Sequence, residues 1–319
     1  MVTSGVLAEV YKPNRYLYDN NSFNWKYDLE YNSTKFNIVL DQHSHTNYSD
    51  GKMHLEQNIL WHIAHGFNAM FLTDHNTLAN ADELQILAQK YKEVIVVMQG
   101  MEWTTHRVHM NLLGISTMVP IPESPVTDEE IQAAINATHA QGGVVAVNHI
   151  PRTMEKTSEH PSRAELLTWG VDYIEIVNKN VFDYESESWC NDTGGFGKIT
   201  GTDMHKPMNV HGRTFLKTAN FTKEGIMEQL VIKNTSTIYD EIGSIDQSVN
   251  TPTTGSRILE PLILLGRFFI NYQTTPSSMS WVGFGVFIGY LVGGYLIIEL
   301  TFFAVGKYKA KRKEKDESL

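Results

Sequence analysis

Six short clusters along the chain bring together residues able to hold a cation. They are Asp41-Gln42-His43-Ser44-His45-Thr46-Asn47-Tyr48-Ser49-Asp50-Gly51, Thr73-Asp74-His75, Gly100-Met101-Glu102, His109, Asn148-His149 and Gly201-Thr202-Asp203-Met204-His205. Side chains repeat every two residues along a strand, so His43 and His45 at a strand end face the same way and can reach one ion. Alone, the pair is equally well explained as two solvated loop residues; together, six clusters at strand termini are hard to dismiss. His43, His45, His75, His109, His149 and His205 supply imidazole nitrogen, and Asp50, Glu102 and Asp203 supply carboxylate oxygen. That donor mixture suits zinc, manganese or iron better than calcium or magnesium. Nine donors exceed what one tetrahedral ion uses, which implies two or three divalent ions bridged by a carboxylate and a hydroxide. The single cysteine, Cys190, excludes an intrachain disulfide and a cysteine cage. No Ser-His-Asp arrangement or glycine-rich phosphate loop is identifiable from local motifs.

Such scattered donors need a scaffold that gathers them. Strands are expected at Phe36–Leu40, Asn68–Leu72, Val94–Met98, Met110–Ile115, Val144–Val147, Tyr173–Val177 and Lys198–Thr200. His54–His65, Ala81–Lys90, Asp128–Ala140 and Thr222–Leu230 have helical spacing, and Thr127 with Glu130 makes a capping box for the third. This alternation points to an α/β protein of repeated βα units, a barrel or a large open sheet. In a parallel barrel the C-terminal strand ends converge on one mouth, where such clusters would meet.

Composition changes near residue 250. Trp281–Gly306 is apolar apart from Glu299, and at 1.5 Å per residue it would be about 39 Å long, enough for a tilted transmembrane helix. Ile258–Ile270 is shorter, interrupted by Glu260, Pro261 and Arg267, and suits an interfacial helix. The expected layout is an N-terminal extension (1–35), a barrel (36–245), a linker (246–280), a membrane helix (281–306) and a basic tail (307–319). Gly285, Gly289 and Gly293 line one helix face and would admit a close helix partner, such as a second copy. The formal charge is −10; the tail holds six basic and three acidic residues, so the rest carries 20 against 33, a net of −13. So acidic a body is a poor partner for nucleic acid.

The clues to membrane orientation conflict. The basic tail favours a cytosolic C-terminus and an extracytosolic barrel. Sequons at Asn20, Asn32, Asn47, Asn136, Asn191, Asn220 and Asn234 agree, about three being expected by chance from the asparagine and Ser+Thr content. Residues 1–20 lack the apolar core of a signal peptide, and insertion by the tail alone would leave the barrel in the cytosol. A hairpin using Ile258–Ile270 would put both on one side. The reading adopted is an extracytosolic barrel.

The series DxHxHTxxSDG, TDH, GxE, a later histidine before an asparagine, NH(x)P and G(T/S)DxH, from about Phe36 to Leu230, resembles the polymerase and histidinol phosphatase (PHP) superfamily. Its order and spacing are similar to the CehA/McbA-like branch. The resemblance implies a distorted seven-stranded TIM-like barrel with a trinuclear centre. Glu102 would bridge one ion held with His43, His45 and Asp203 and another held with His109 and His149; Asp50, His75 and His205 would hold the third. Two departures are Ile150, inserted before the proline, and Asp50, where some relatives have histidine.

The resemblance favours phosphoester hydrolysis by a metal-bridging hydroxide on a small phosphorylated or ester-type substrate. Arg152 and Arg213 are candidates to hold the phosphate, and Asp74 to orient a ligand. A carbamate, ester or amide hydrolase on the same metals is the alternative, and a non-catalytic membrane scaffold retaining metals a third reading. The remaining histidines read blandly. His54, His62 and His65 suit a polar helix face, His106 competes weakly with His109, and His139, His160 and His211 suit the surface, His211 close enough to His205 to line the mouth.

Overall fold

The computed structural model describes residues 16–252, 261, 262, 264, 265 and 281–316. All seven expected strands form: Ile38–Asp41 (β2), Ala69–Leu72 (β3), Val96–Thr104 (β4), His109–Leu113 (β5), Val144–Val147 (β6), Tyr173–Asn178 (β7) and Gly197–Gly201 (β9). They belong to a ten-stranded sheet, because Val181–Phe182 (β8), Val210–Leu216 (β10) and Ser236–Ser244 (β11) join it, so the seven-strand expectation is too small. β10 escapes the sequence because His211, Gly212 and Arg213 interrupt its apolar run; β11 escapes because it is an exposed edge with mixed polarity.

The expected all-parallel arrangement is also corrected. β2, β3 and β4 are mutually parallel, as are β6, β7 and β9, but β5 runs antiparallel to both β4 and β6, and β10 antiparallel to β2. The sheet nearly closes. At the seam, the Thr200 amide donates to Thr214 Oγ1 (2.9 Å), linking β9 to β10 where no ladder pairs them.

Alternation along the strands sorts the core. Ile38, Leu40, Phe71, Val96, Met98, Leu113, Ala146, Tyr173 and Ile199 pack in one cluster with Ile226 and Leu230 of the helix Lys223–Val231. Residues of opposite parity, Met101, Trp103, Met110, Leu112, Val145 and Ile174, pack with Ile131 and Ile135 of the helix Asp128–His139. Each such fully buried aliphatic side chain contributes roughly 1.5–3 kcal/mol. Thr127 and Glu130 form the expected reciprocal cap. The helices Leu55–Ala64 and Ala81–Tyr91 bury Leu55, Ile59, Leu84 and Leu87 against Met70, Leu72 and Val97. Ile150–Met154, Arg163–Trp169 and Tyr184–Thr193 are helices too short or too polar to stand out by spacing.

Tyr18–Val249 forms one unit. In the other, Tyr16–Leu17 (β1) pairs antiparallel with Thr251–Pro252 (β12), and one continuous helix runs Trp281–Asp316 without a break through the basic segment, rather than stopping at Gly306. Within it Phe287–Tyr308 is long and apolar enough to cross a membrane, with mean hydropathy 1.8. Most of Ile258–Ile270 lies outside the described residues.

Candidate metal centre

The same alternation that fills the core with apolar residues carries polar ones into its upper end. On β4 the face bearing Val96 and Met98 continues through Gly100 to Glu102; on β5 the face of Leu113 continues through Asn111 to His109. Because β5 is reversed, its first residue reaches the same mouth as the last residues of its neighbours.

All nine expected ligands converge, in four overlapping groups: His45, Asp50, His75 and His205; His43, His45 and Glu102; His43, His149 and Asp203; His75, Glu102 and His109. Nε2 atoms of His43 and His45 are 3.1 Å apart, each lies 3.3 Å from Glu102 Oε2, and Asp203 Oδ1 is 3.7 and 3.3 Å from them. Two donors bound to one tetrahedral ion at about 2.0–2.1 Å are about 3.4 Å apart, so these atoms have the spacing of a coordination shell. Two observations make a cation the fitting occupant. His43 Nδ1 faces Glu175 Oε1 at 2.8 Å, which leaves Nε2 of a neutral ring as a lone pair, and buried Glu102 Oε2 makes no hydrogen bond. Glu102 Oε1 meets His109 Nδ1 (3.0 Å) and His149 Nε2 (3.2 Å), so the two oxygens of one carboxylate serve two ligand sets. Asp50 Oδ2 lies 3.1 Å from His205 Nε2, and Asp50 Oδ1 lies 3.8 Å from His75 Nε2. The partition is less sharp than the resemblance implies: His75 Nδ1 also lies 2.9 Å from Glu102 Oε2.

Electrostatics follow from packing anions and imidazoles together. Burial opposes charge on His43, yet Glu102, Glu175 and Asp203 outweigh it and raise its pKa well above the ordinary value. Burial likewise opposes charge on Glu102 and Asp203, but the neighbouring imidazoles, His43 foremost, hold both well below the carboxylate range. Asp50 is pulled down to about 2 because its contact with His205 outweighs partial burial. His45, fully enclosed, moves down, burial being the larger influence.

Local structure fixes the ligands. Asp41 Oδ1 accepts the amides of His43 and Thr202, and its Oδ2 faces His62 Nε2 at 2.9 Å, pinning the β2 end to the β9 end and to a helix. Asp74 faces no ligand ring; it accepts from the Thr46 amide, the Thr46 and Ser49 hydroxyls and Asn80, and so shapes the loop that carries Asp50. Ile150 is accommodated as a buried first residue of the Ile150–Met154 helix.

Of the two arginine candidates, Arg152 is at the mouth, its Nη1 3.3 Å from Asp203 Oδ2. Arg213 is not. It follows inward-facing Gly212 and precedes inward-facing Thr214, so it points outward, donating to the His65 carbonyl and Ser244 Oγ between the Tyr27 and Phe67 rings. His62 and His65 are buried rather than on a polar face. His211 contacts the Asp240 carbonyl and does not line the mouth, whereas His106 does, paired with Glu159 at 3.1 Å. Sequence reasoning missed Glu175, Lys156 and Lys179. A lone carboxylate in the apolar run Tyr173–Val177 was the available signal, since buried charges are seldom unpartnered.

A family model described as the PHP domain matches residues 41–189, a span holding seven of the nine expected ligands. Over those residues the chain is similar to the PHP domain. No curated protein matches it significantly. Among solved structures, its fold is similar to a two-domain protein from Bacteroides vulgatus containing a predicted PHP-like metal-dependent phosphoesterase. That match has a TM-score of 0.56 and 19% identity, over 67% of this chain and 69% of that one. A fainter likeness, TM-score 0.33 with 18% identity over 53% of this chain and 86% of that one, is to histidinol phosphate phosphatase from Lactococcus lactis complexed with zinc, L-histidinol and phosphate.

Proposed function

We propose that this protein is a membrane-anchored phosphoesterase acting on a small polar phosphate ester by direct attack of water. The broader class, a metal-dependent hydrolase, follows from the domain and its complete ligand set. The lining of the cavity above the ligands carries the finer reading. This space of about 450 Å³ is bounded by Asp50, His75, Glu102, Thr104, Thr105, His106, His109, His149, Arg152, Thr153, Lys156, Asp203 and His205, with no aliphatic or aromatic hydrocarbon side chain among them. An aryl carbamate or other apolar ester would meet only imidazole rings, threonine methyls and the stems of charged side chains there, so the CehA/McbA-like alternative ranks second.

The nine converged side chains would hold the ions. When bound, these supply the acidity that ionises water near neutral pH and positive charge for the phosphoryl oxygens. The chain's own cations add to the grip: Arg152 and Lys156 stand on one wall, while Lys179, which lines the adjoining cavity, holds Asp203 Oδ2 at 2.9 Å. A planar guanidinium suits bidentate contact with phosphate. The wall hydroxyls are engaged, Thr104 with His75 (2.6 Å), Thr105 with the Val108 carbonyl (2.9 Å) and Thr153 with His149 (3.3 Å), which favours water over a covalent nucleophile.

The membrane reading rests on the apolar helix followed by a basic tail, with the tail in the cytosol and residues 36–245 outside it. Purified protein loaded with zinc or manganese should hydrolyse phosphate monoesters faster than diesters or aryl carbamates, and the His43→Ala/His45→Ala variant should not. Equal activity in that variant removes the reading. Carbamate turnover without phosphatase activity favours the second reading, and no turnover favours a scaffold.

A further inference from the structure

Beneath the ligand cluster, a chain of buried amides joins Glu175 to Glu102. Gln42 Nε2 donates to Glu175 Oε1 (2.8 Å), Asn111 Nδ2 to Gln42 Oε1 (2.8 Å), and Asn148 Nδ2 both to Asn111 Oδ1 (2.9 Å) and to Glu102 Oε1 (3.1 Å). The five side chains come from β4, β5, β7 and the ends of β2 and β6, and none exceeds 1% exposure. At both ends a carboxylate oxygen accepts, so each end turns the adjoining NH2 group towards itself and the orientation of every amide between is fixed.

Glu175 does more than end the chain. Its Oε1 lies 2.8 Å from His43 Nδ1, and its Oε2 accepts from the His149 amide (2.9 Å) and Asn178 Nδ2 (2.9 Å). His149 sits at φ 28°, in the left-handed region unfavourable for a side-chain-bearing residue, and this bond helps hold it there. With four donors on its two oxygens, Glu175 has no lone pair left for an ion. Its place depends on Gly201, where an added Cβ would lie 2.0 Å from Glu175 Oε1 and 2.6 Å from His43 Cβ. Burying two carboxylates and three amides is costly, the more so because Asn148 Oδ1 and Glu102 Oε2 make no hydrogen bond, so filling space alone would favour apolar residues here.

We propose that Glu175, Gln42, Asn111 and Asn148 act as one positioning device, coupling the set of His43 and His149 to that of the shared carboxylate Glu102. The inference rests on the metal-centre reading above. It is tested on the full chain in detergent with Glu175→Gln, Asn111→Leu, their double variant, and Gly201→Ala, which alters no polar group. Zinc per chain is measured by elemental analysis, affinity by chelator competition, and stability of the zinc-stripped protein by urea titration.

Each single change should weaken zinc binding about 10- to 100-fold, and the double variant no more than the worse single one. Losses that multiply, or unchanged affinity beside lowered stability, overturn the coupling. Gly201→Ala with wild-type affinity does so as well. Should Asn111→Leu not fold, Gln42→Met tests the adjoining link. Wild type that binds no zinc overturns the metal-centre reading itself, and the inference falls with it.

Discussion

Glu102 and Asn111 stand directly opposite one another across the antiparallel β4–β5 pair, both on the inner face. That register explains how His109, the first residue of its strand, joins expected ligands that lie near or beyond the C-terminal ends of theirs. It also makes Glu102 the point where the ligand sets meet.

Glu102→Gln should therefore remove more than one ion. A neutral amide keeps the shape but loses the anionic oxygen facing His43 and His45 and the one facing His109 and His149. We expect zinc content to fall at two positions and phosphatase activity to drop at least about 100-fold, since even indirect partners of ligands are worth 10- to 100-fold. Circular dichroism should show the fold intact. Undiminished zinc would exclude Glu102 as the shared ligand.

Gly51→Ala should act chiefly on the third set. A Cβ at Gly51 would lie 2.6 Å from the His45 carbonyl oxygen and 2.8 Å from the Thr46 carbonyl carbon, both backbone atoms that cannot rotate away. The loop carrying Asp50 must move outward, at a cost of about 1–3 kcal/mol. One ion fewer per chain with the other positions filled is the expected elemental analysis; a full complement would mean Asp50 is no ligand.

How much of this was legible beforehand follows from what sequence patterns record. His43, His45, Asp50 and His75 were visible because each stands beside an apolar strand in a short motif. Glu175 was hidden inside a strand, where only the inward parity of β7 and the space left by Gly201 reveal its partners. Arg213 misled for the opposite reason: it is near His205 in sequence, but one step of strand parity turns it out of the barrel. The reversed β5 was equally invisible, since strand direction is set by pairing and not by composition.

Arg152→Ala should weaken substrate capture. Its guanidinium is half-exposed, and the distal oxygen of Asp203 already neutralises part of its charge. A charge-assisted hydrogen bond contributes about 1.5–3 kcal/mol, which predicts a 10- to 100-fold loss in kcat/KM for a phosphate monoester, mostly in KM. Lys156→Ala should act in the same direction but less, and added salt should shrink both effects. An unchanged KM in both variants would place the substrate elsewhere.

His160 predicts an acid-sensitive fold. Burial lowers its pKa to about 4, only partly opposed by its contact with the Pro161 carbonyl, whereas the unfolded chain titrates near 6.5. With a depressed folded value, the unfolded state gains the proton first, so the stability contribution is present above about 6.5 and lost as pH falls towards 4. The linkage amounts to roughly 2–3 kcal/mol across that window. Between pH 7.5 and 4.5, the urea midpoint should fall less in His160→Gln than in wild type. Parallel curves would show that the ring is protonated in the folded protein.

Placement of the barrel outside the cytosol is open to a direct test. All seven sequon asparagines, Asn20, Asn32, Asn47, Asn136, Asn191, Asn220 and Asn234, are exposed, whereas Asn58, Asn80, Asn111, Asn148 and Asn178, none in a sequon, are buried. An acceptor must be reachable by the transferring enzyme, and residues 307–319, with six basic side chains, would stay in the cytosol. Protein recovered from the membranes of its own organism should carry glycan on at least one of the seven, Asn47 being of most interest because it lies between the expected ligands His45 and Asp50. Protease added to intact cells should remove the barrel and leave the anchor helix with its tail. A barrel protected in intact cells but cleaved after lysis, together with unmodified asparagines at all seven positions, would place the metal centre in the cytosol.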